Sequence, residues 1–392
     1  MAKRRRVAVM IDLEWPYKYH IEVFAGCQEY AARAGWDCTI DPFADRALGS
    51  RRTAAPYDGI LGRATRKLAD MADRAGVPVV NVWMNSPARK LPSVFPDAKA
   101  AGRMAAEHLL GRGFRQLGYL GYARDVCSQL QLEGVRSVAR REGFSCSVHR
   151  FGRTNVMKDA KHWEAFIAGL EAWVDTWTTP IGVYVTHDLP CRYLIDVCRS
   201  KGLQVPRDVA VIGTFNELVI CASPAPTLTS IDLGYTQIGY QAAELLDRLM
   251  DGEPPPEGPR WIEPAELVPR QSTDSYAVDD PLVGRALRFI AEHGNEPINV
   301  QAVADELPTV RRTLERRFRE TLGRTIAEEI TRLRLERVKR RLIETDEPLK
   351  VVAMASGFTS ANQLYKVFLR IEGISPQQYR QTLNTCIHID RD

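Results

Sequence analysis

Along residues 1–270, short apolar runs alternate with longer stretches in which apolar positions recur every three to four residues. The runs at 7–11, 39–40, 60–61, 79–83, 117–120, 181–185 and 209–212 predict strands. The periodic stretches predict helices at 19–34, 66–75, 98–111, 128–142, 160–175, 188–202 and 233–250. Gly35, Gly76, Gly111, Gly113, Gly143 and Gly202 follow these stretches, where glycine can take the left-handed cap conformation. Strands that alternate with helices imply parallel pairing and right-handed crossovers, hence doubly wound α/β structure. In such sheets ligands sit beyond the carboxyl ends of the strands. A proline-rich stretch at 251–259 stops the last helix, and 261–268 can return as an edge strand. Residues 272–281 are polar, and beyond Pro281 every periodicity is helical. The pattern therefore predicts an α/β domain over 1–275, a linker at 276–281, an all-α domain over 282–383 and a tail at 384–392.

The all-α region nearly repeats itself with a period of 50. Leu314, Phe318 and Gly323 match Leu364, Phe368 and Gly373, Arg316 aligns with Lys366, and Thr325 aligns with Ser375. Each unit reads as a short helix of small residues, a tight turn and a second helix that buries its Leu and Phe on one face. The opposite face carries Arg311, Arg312, Glu315 and Arg316 in the first unit, and Ser360, Ala361, Asn362 and Lys366 in the second. Residues 326–343, with Ile326, Ile330, Leu333, Val338 and Leu342, read as one long connecting helix that fixes the spacing. A helix anchored on one side and polar on the other is what major-groove reading requires. Arg suits guanine and Asn suits adenine, while further cations neutralise phosphates. A generic helical bundle would share the buried Leu and Phe; their duplication around a basic connector favours nucleic acid.

Charge sharpens this reading. The net +4 lies wholly in residues 282–392, because residues 1–281 carry 34 basic and 34 acidic side chains. Residues 311–341 hold 12 basic against 5 acidic side chains, a candidate phosphate-binding surface or, more blandly, a solvated face laced with Glu–Arg pairs. The eight cysteines are scattered without a C-x-x-C, so neither a disulfide framework nor a metal site is expected, and a reducing, cytoplasmic compartment fits. The apolar run at 7–11 ends at Asp12, too short for a signal-peptide core of about 7–15 residues. No run approaches the roughly 18 residues of a membrane span. The chain has no P-loop, no H-E-x-x-H, no G-x-S-x-G and no G-x-G-x-x-G after a strand, so no catalytic residue and no cofactor is expected.

Two resemblances follow. The turn Ala353, Gly357 and Phe358 and the closing Gly373, Ser375, Pro376, Tyr379 and Arg380 make residues 282–383 resemble the DNA-binding domain of the AraC/XylS family. By that resemblance Arg312, Glu315 and Arg316, and Ala361, Asn362 and Lys366, face bases. The first unit departs from the pattern at Leu307-Pro308-Thr309-Val310, where the family usually has a glycine and then a serine cap. The segments VPVVNVW (77–83), VFPDAKAAGRMAAEHLLGRGFRQLGYLGY (94–122), VPRDVAVIGTFNE (205–217) and LTSIDLGYTQIGYQAAELLDRLMDG (228–252) resemble the sensor of LacI/GalR-type repressors, relatives of periplasmic sugar-binding proteins.

Together the resemblances imply an α/β periplasmic-binding-protein-like sensor of two doubly wound lobes, followed by an all-α domain with two helix-turn-helix units. They also imply a regulator, an activator by analogy, with four kinds of partner: a double-stranded DNA operator, a small-molecule effector such as xylose, a second copy in a homodimer, and RNA polymerase. No membrane partner is implied. The strand ends offer aromatic faces and polar groups for an effector at Asp12, Trp15, Trp83, Asn85, Arg124, Asp188, Phe215 and Asn216, with Glu14, Tyr17, Tyr122, His187 and Glu217 nearby in sequence. The sensor family commonly has Gly-x-Asp-Asn after the strand at 209–212, and here Phe215 takes the place of the sugar-binding Asp. That exchange removes a partner for sugar hydroxyls. The rival readings are a ligand-independent architectural DNA-binding protein and a sugar-acting enzyme fused to a DNA-binding domain.

Overall fold

The structure is a computed structural model that describes residues 4–13, 19–48, 56–152, 159–274, 278, 280–345 and 347–387. The chain begins in a first lobe with β1 (Arg6–Met10), α1 (Tyr19–Ala34), β2 (Asp37–Ile40), α2 (Ala44–Leu48), β3 (Gly59–Gly62), α3 (Arg66–Ala75), β4 (Val79–Asn81) and β5 (Val94–Pro96). Strands β2, β1, β3 and β4 pair in that order, all parallel, and the bridge from Asn81 to Ser93 brings β5 alongside.

The chain then crosses into a second lobe. This lobe holds α4 (Ala98–Gly111), β6 (Gln116–Tyr122), α5 (Val126–Arg141), β7 (Cys146–Phe151), α6 (Ala160–Val174), β8 (Ile181–Val185), α7 (Asp188–Ser200), β9 (Val209–Thr214), α8 (Leu218–Cys221) and β10 (Thr229–Asp232). It returns to the first lobe for α9 (Tyr235–Met250) and β11 (Arg260–Ile262), which pairs with β5, and crosses again to end on β12 (Glu266–Val268). The second sheet runs β12-β10-β9-β8-β6-β7, parallel except for the antiparallel edge strand β12. The three crossings are tied together: Asp97 N donates to Ile262 O at 2.7 Å, and Ala265 N donates to Asp232 O at 3.0 Å. This hinge sets the strand ends of one sheet against those of the other.

Local chemistry starts the helices where they start. The side chains of Thr65, Asp97, Asp125 and Asp159 accept backbone N–H bonds at the first turns of α3, α4, α5 and α6. Helices α4 and α5 approach closely because Gly102 and Gly134 face each other. A Cβ on Gly102 would lie 2.0 Å from Gln131 O, and one on Gly134 2.2 Å from Lys99 O.

The sequence pattern located most of these elements to within a few residues. It missed α2, β5, β7, α8 and β10. It also took 261–268 as one edge strand, whereas the chain divides there into β11 and β12, which lie in different lobes.

After a 3₁₀ turn at Gln271–Thr273 the chain becomes helical: α10 (Pro281–Glu292), α11 (Val300–Asp305), α12 (Arg311–Leu322), α13 (Ile326–Glu344), α14 (Leu349–Ala355), α15 (Ala361–Glu372) and α16 (Pro376–Ile387). Two apolar cores form here. One gathers Val283, Leu287, Ile290, Val303, Leu314 and Phe318 with Ile326, Ile330 and Leu333 of α13. The other gathers Val352, Ala353, Phe358, Leu364 and Phe368 with Leu335, Val338 and Leu342 of the same helix. Helix α13 therefore serves both helix-turn-helix units, as its apolar pattern predicts. Residues 275–277 and 279, within or beside the expected linker, lie outside the described residues.

Candidate effector cleft and nucleic-acid interface

The cleft between the lobes is lined by aromatic side chains. Tyr19 opens α1, Trp83 and Asn85 follow β4, Tyr122 ends β6, and Thr186 and His187 follow β8. Phe215 follows β9 and Tyr235 opens α9. Phe215 is stacked on His187 at 4.0 Å, on Tyr19 at 5.6 Å and on Tyr235 at 5.7 Å between ring centroids. The remaining space is about 60 Å³, well under the roughly 300–1,000 Å³ of small-molecule pockets. A neighbouring hollow of about 490 Å³ shares Trp83 and Met84 and adds Arg89, Lys90, Phe95 and Pro259. Arg63 lies over the Trp83 ring at 4.6 Å.

Asn85 fastens the lobes at the cleft. Its Nδ2 donates to Asp125 Oδ2 at 2.7 Å, and its Oδ1 accepts from Val126 N at 2.9 Å. Asp125 also caps α5 by accepting from Ser128 N at 2.8 Å, so its carboxylate already has several protein partners.

Phe215 and Asn216 have φ of +95° and +52°, a region that costs non-glycine residues of order 1–3 kcal/mol. Asp188 holds this loop from behind. Its Oδ1 accepts from Ser230 Oγ at 2.6 Å and its Oδ2 from Glu217 N at 2.9 Å, and Ser230 Oγ accepts from Asn216 N at 3.0 Å. Complete burial lifts the Asp188 carboxyl to about 7, against the lowering effect of the Ser230 and Glu217 bonds. Asp188 is 1% exposed and does not line the cleft. Asn216 lies outside the lining too, with its Oδ1 accepting from Arg270 Nη2 at 2.8 Å.

Of the sequence-predicted effector residues, the structure brings Trp83, Asn85 and Phe215 together in the cleft. Asp12 and Arg124 are exposed beyond the ends of β1 and β6 and do not line it. Trp15, with Glu14 and Tyr17, lies outside the described residues. Sequence reasoning missed Tyr19, Asp125, Thr186 and Tyr235. Tyr19 and Tyr235 are the first residues of the helices that follow β1 and β10 in the chain, and that position was the available signal.

In the helical domain, α12 and α15 bury Leu314 with Phe318 and Leu364 with Phe368, and turn the opposite faces to solvent. Arg311, Arg312, Arg316, Asn362 and Lys366 are exposed, while Glu315 and Ala361 are half-buried. Arg311 pairs with Glu315 at 2.9 Å and Arg316 with Glu320 at 2.8 Å. Ser360 caps α15, its Oγ accepting from Gln363 N at 3.1 Å. Helix α12 starts at Arg311 after Val310, which provides no side-chain cap.

The basic block is only partly an outer surface. Arg317 binds Asp280, Lys339 binds Glu372, and Arg341 binds Glu347. Arg334 donates to Ile298 O at 2.7 Å and Arg337 to Ala291 O at 2.5 Å, tying α13 to the end of α10 and the segment that follows it. Among the described residues no cluster of His, Cys, Asp or Glu is placed to hold a metal, and no helix is long and apolar enough to cross a membrane.

Residues 106–273 match the periplasmic binding protein-like domain, and residues 303–382 match a helix-turn-helix domain. The xylose operon regulatory protein of Escherichia coli (strain K12) is 28% identical over 388 residues, covering 96% of this chain and 97% of the relative. That of Haemophilus influenzae is 29% identical over 294 residues, 74% of each chain. The solved structure of a xylose-binding transcription activator superposes with a TM-score of 0.60 at 24% identity, covering 97% of this chain and 99% of that one, which shows a common fold. The chain is an effector-controlled transcription regulator in which a periplasmic-binding-protein-like domain precedes an AraC-type helix-turn-helix domain.

Proposed function

We propose that the effector is a sugar and that the protein is a cytoplasmic, homodimeric activator that binds an operator with both helix-turn-helix units and contacts RNA polymerase. The observation that carries this reading is the pair of separate cores on one shared helix, with Arg312, Asn362 and Lys366 exposed on α12 and α15. In this reading Arg311, Arg312, Glu315 and Arg316, with Ser360, Ala361, Asn362 and Lys366, form the DNA-facing set. The sensor spans 1–275 and the reader 282–383.

Trp83 and Phe215 offer faces to ring C–H groups and Asn85 offers an amide to hydroxyls, while Asp188 and Asn216 act by holding the Phe215 loop. Asp12 and Arg124, exposed beyond the ends of β1 and β6, and Trp15, which lies outside the described residues, complete the proposed set. The effector works by binding one arrangement of the lobes more tightly than the other. The names of the relatives support a pentose, D-xylose. Phe215 at the centre of the cleft favours a second reading, an effector with a larger apolar face. Calorimetric titration with a set of pentoses, hexoses and aryl glycosides separates the two. One sugar should bind and raise the melting temperature by mass action. Binding of an aryl glycoside alone selects the second reading, and a flat response to the whole set overturns both.

A further inference from the structure

The helical domain docks on the second lobe through buried polar contacts. Arg112, at the end of α4, is 3% exposed. Its guanidinium donates to both carboxylate oxygens of Glu336 on α13, at 2.9 and 3.4 Å, and to Thr273 O at 2.5 Å. Beside it Arg324 donates to Gly111 O, and Arg324 and Arg332 both bind Glu329, which is fully buried.

These contacts continue into the lobe. Thr273 Oγ1 lies 2.8 Å from Thr229 Oγ1, and Thr229 Oγ1 accepts from Arg270 N at 2.7 Å. Arg270 in turn donates to Asn216 Oδ1, in the positive-φ loop that carries Phe215 into the cleft. Thr229 and Thr273 are fully buried, and Arg270 is 5% exposed. The cleft loop and the helix shared by both helix-turn-helix units are thus joined by a chain of hydrogen-bonded residues, which passes from carbonyl to hydroxyl within Thr273 and from backbone N–H to guanidinium within Arg270.

We propose that Arg112 is the positioning residue through which the effector cleft sets the orientation of the DNA-binding domain, acting on Glu336 at the end of the chain formed by Asn216, Arg270, Thr229 and Thr273. A buried donor that loses its acceptor is costly, so such a chain rearranges as a unit. Coupling also needs an element with two arrangements that both ends bias, and the strained loop at Phe215 supplies it. The identity of the effector rests on the function proposed above; the coupling does not.

Hydrogen exchange of the full chain tests the coupling without ligand. Asn216→Ala should speed amide exchange in residues 326–336 several-fold, and Glu336→Gln should do the same in residues 213–217. Arg112→Lys, which keeps the charge but loses the paired bonds, should do both. Arg319→Ala, on the exposed face of α12, should leave residues 213–217 unchanged. Exchange changes confined to each variant's own neighbourhood would overturn the proposal.

With D-xylose as probe, the ratio of duplex Kd values with and without the sugar should fall at least fivefold in Arg112→Lys, while the sugar's own Kd stays within twofold. An unchanged ratio contradicts the proposal. A parent protein indifferent to D-xylose contradicts the effector assignment alone, and the exchange result then decides the coupling.

Discussion

In the first helix-turn-helix unit Leu314 and Phe318 are buried and Gly323 ends the helix; in the second, Leu364, Phe368 and Gly373 do the same. The outer faces of the two units differ. Helix α12 shows arginines tied in exposed i,i+4 pairs to Glu315 and Glu320, and Val310 before it is 69% exposed and caps nothing. Helix α15 shows Asn362 and Lys366 behind a serine cap, with Gln363 reaching back to Thr359 N at 2.9 Å. The difference teaches that one buried Leu–Phe scaffold can carry two chemically unlike outer faces. Under the proposed function the first unit would read by charge and arginine, and the second by an amide on a helix whose start is capped by Ser360.

The largest test asks whether the scaffolds are equivalent. Phe318→Ala and Phe368→Ala should each cost about 3–5 kcal/mol in denaturant unfolding, and a near-zero cost at either site would break the equivalence. A second variant exploits an asymmetry in the turns. Gly357 has φ +79°, and a Cβ there would lie 2.7 Å from both Gly294 O and Glu296 O. Gly357→Ala should therefore destabilise the domain by roughly 2–3 kcal/mol and weaken duplex binding through the contact between the units.

Smaller effects sharpen the contrast between the faces. Arg312→Ala and Asn362→Ala should each relax base preference at one position by roughly 1–3 kcal/mol, the first at a guanine and the second at an adenine, as scored by binding to a panel of single-base duplex variants. The smallest effects concern the caps. Ser360→Ala should cost about 1 kcal/mol, and Val310→Asp should gain a similar amount or less, both read from thermal melts.

The Leu–Phe–Gly repeat was legible because the two units bury the same side chains at the same spacing. The central strands of both lobes were legible because Val and Ile runs mark strands buried on both faces. Strand β7 was not, because Cys146–Phe151 mixes His149 and Arg150 into a half-exposed edge. The division between β11 and β12 was hidden for another reason. The break at Glu263, Pro264 and Ala265 is a change of lobe, which local periodicity does not encode. The charge count misled in part, since it weighs Arg312, exposed on α12, equally with Arg324 and Arg332, which grip a buried Glu329. Arg112 lay hidden among Gly111 and Gly113, where a basic residue near a helix end has an ordinary explanation in the helix dipole.

The most direct test of the whole account is equilibrium binding of the full chain to a duplex selected from a random library, measured across a salt series against random competitor. The account predicts a preference of roughly a thousandfold or more for the selected duplex and an affinity that falls steeply as salt rises. Equal affinity for every duplex, unchanged by ionic strength, would contradict it.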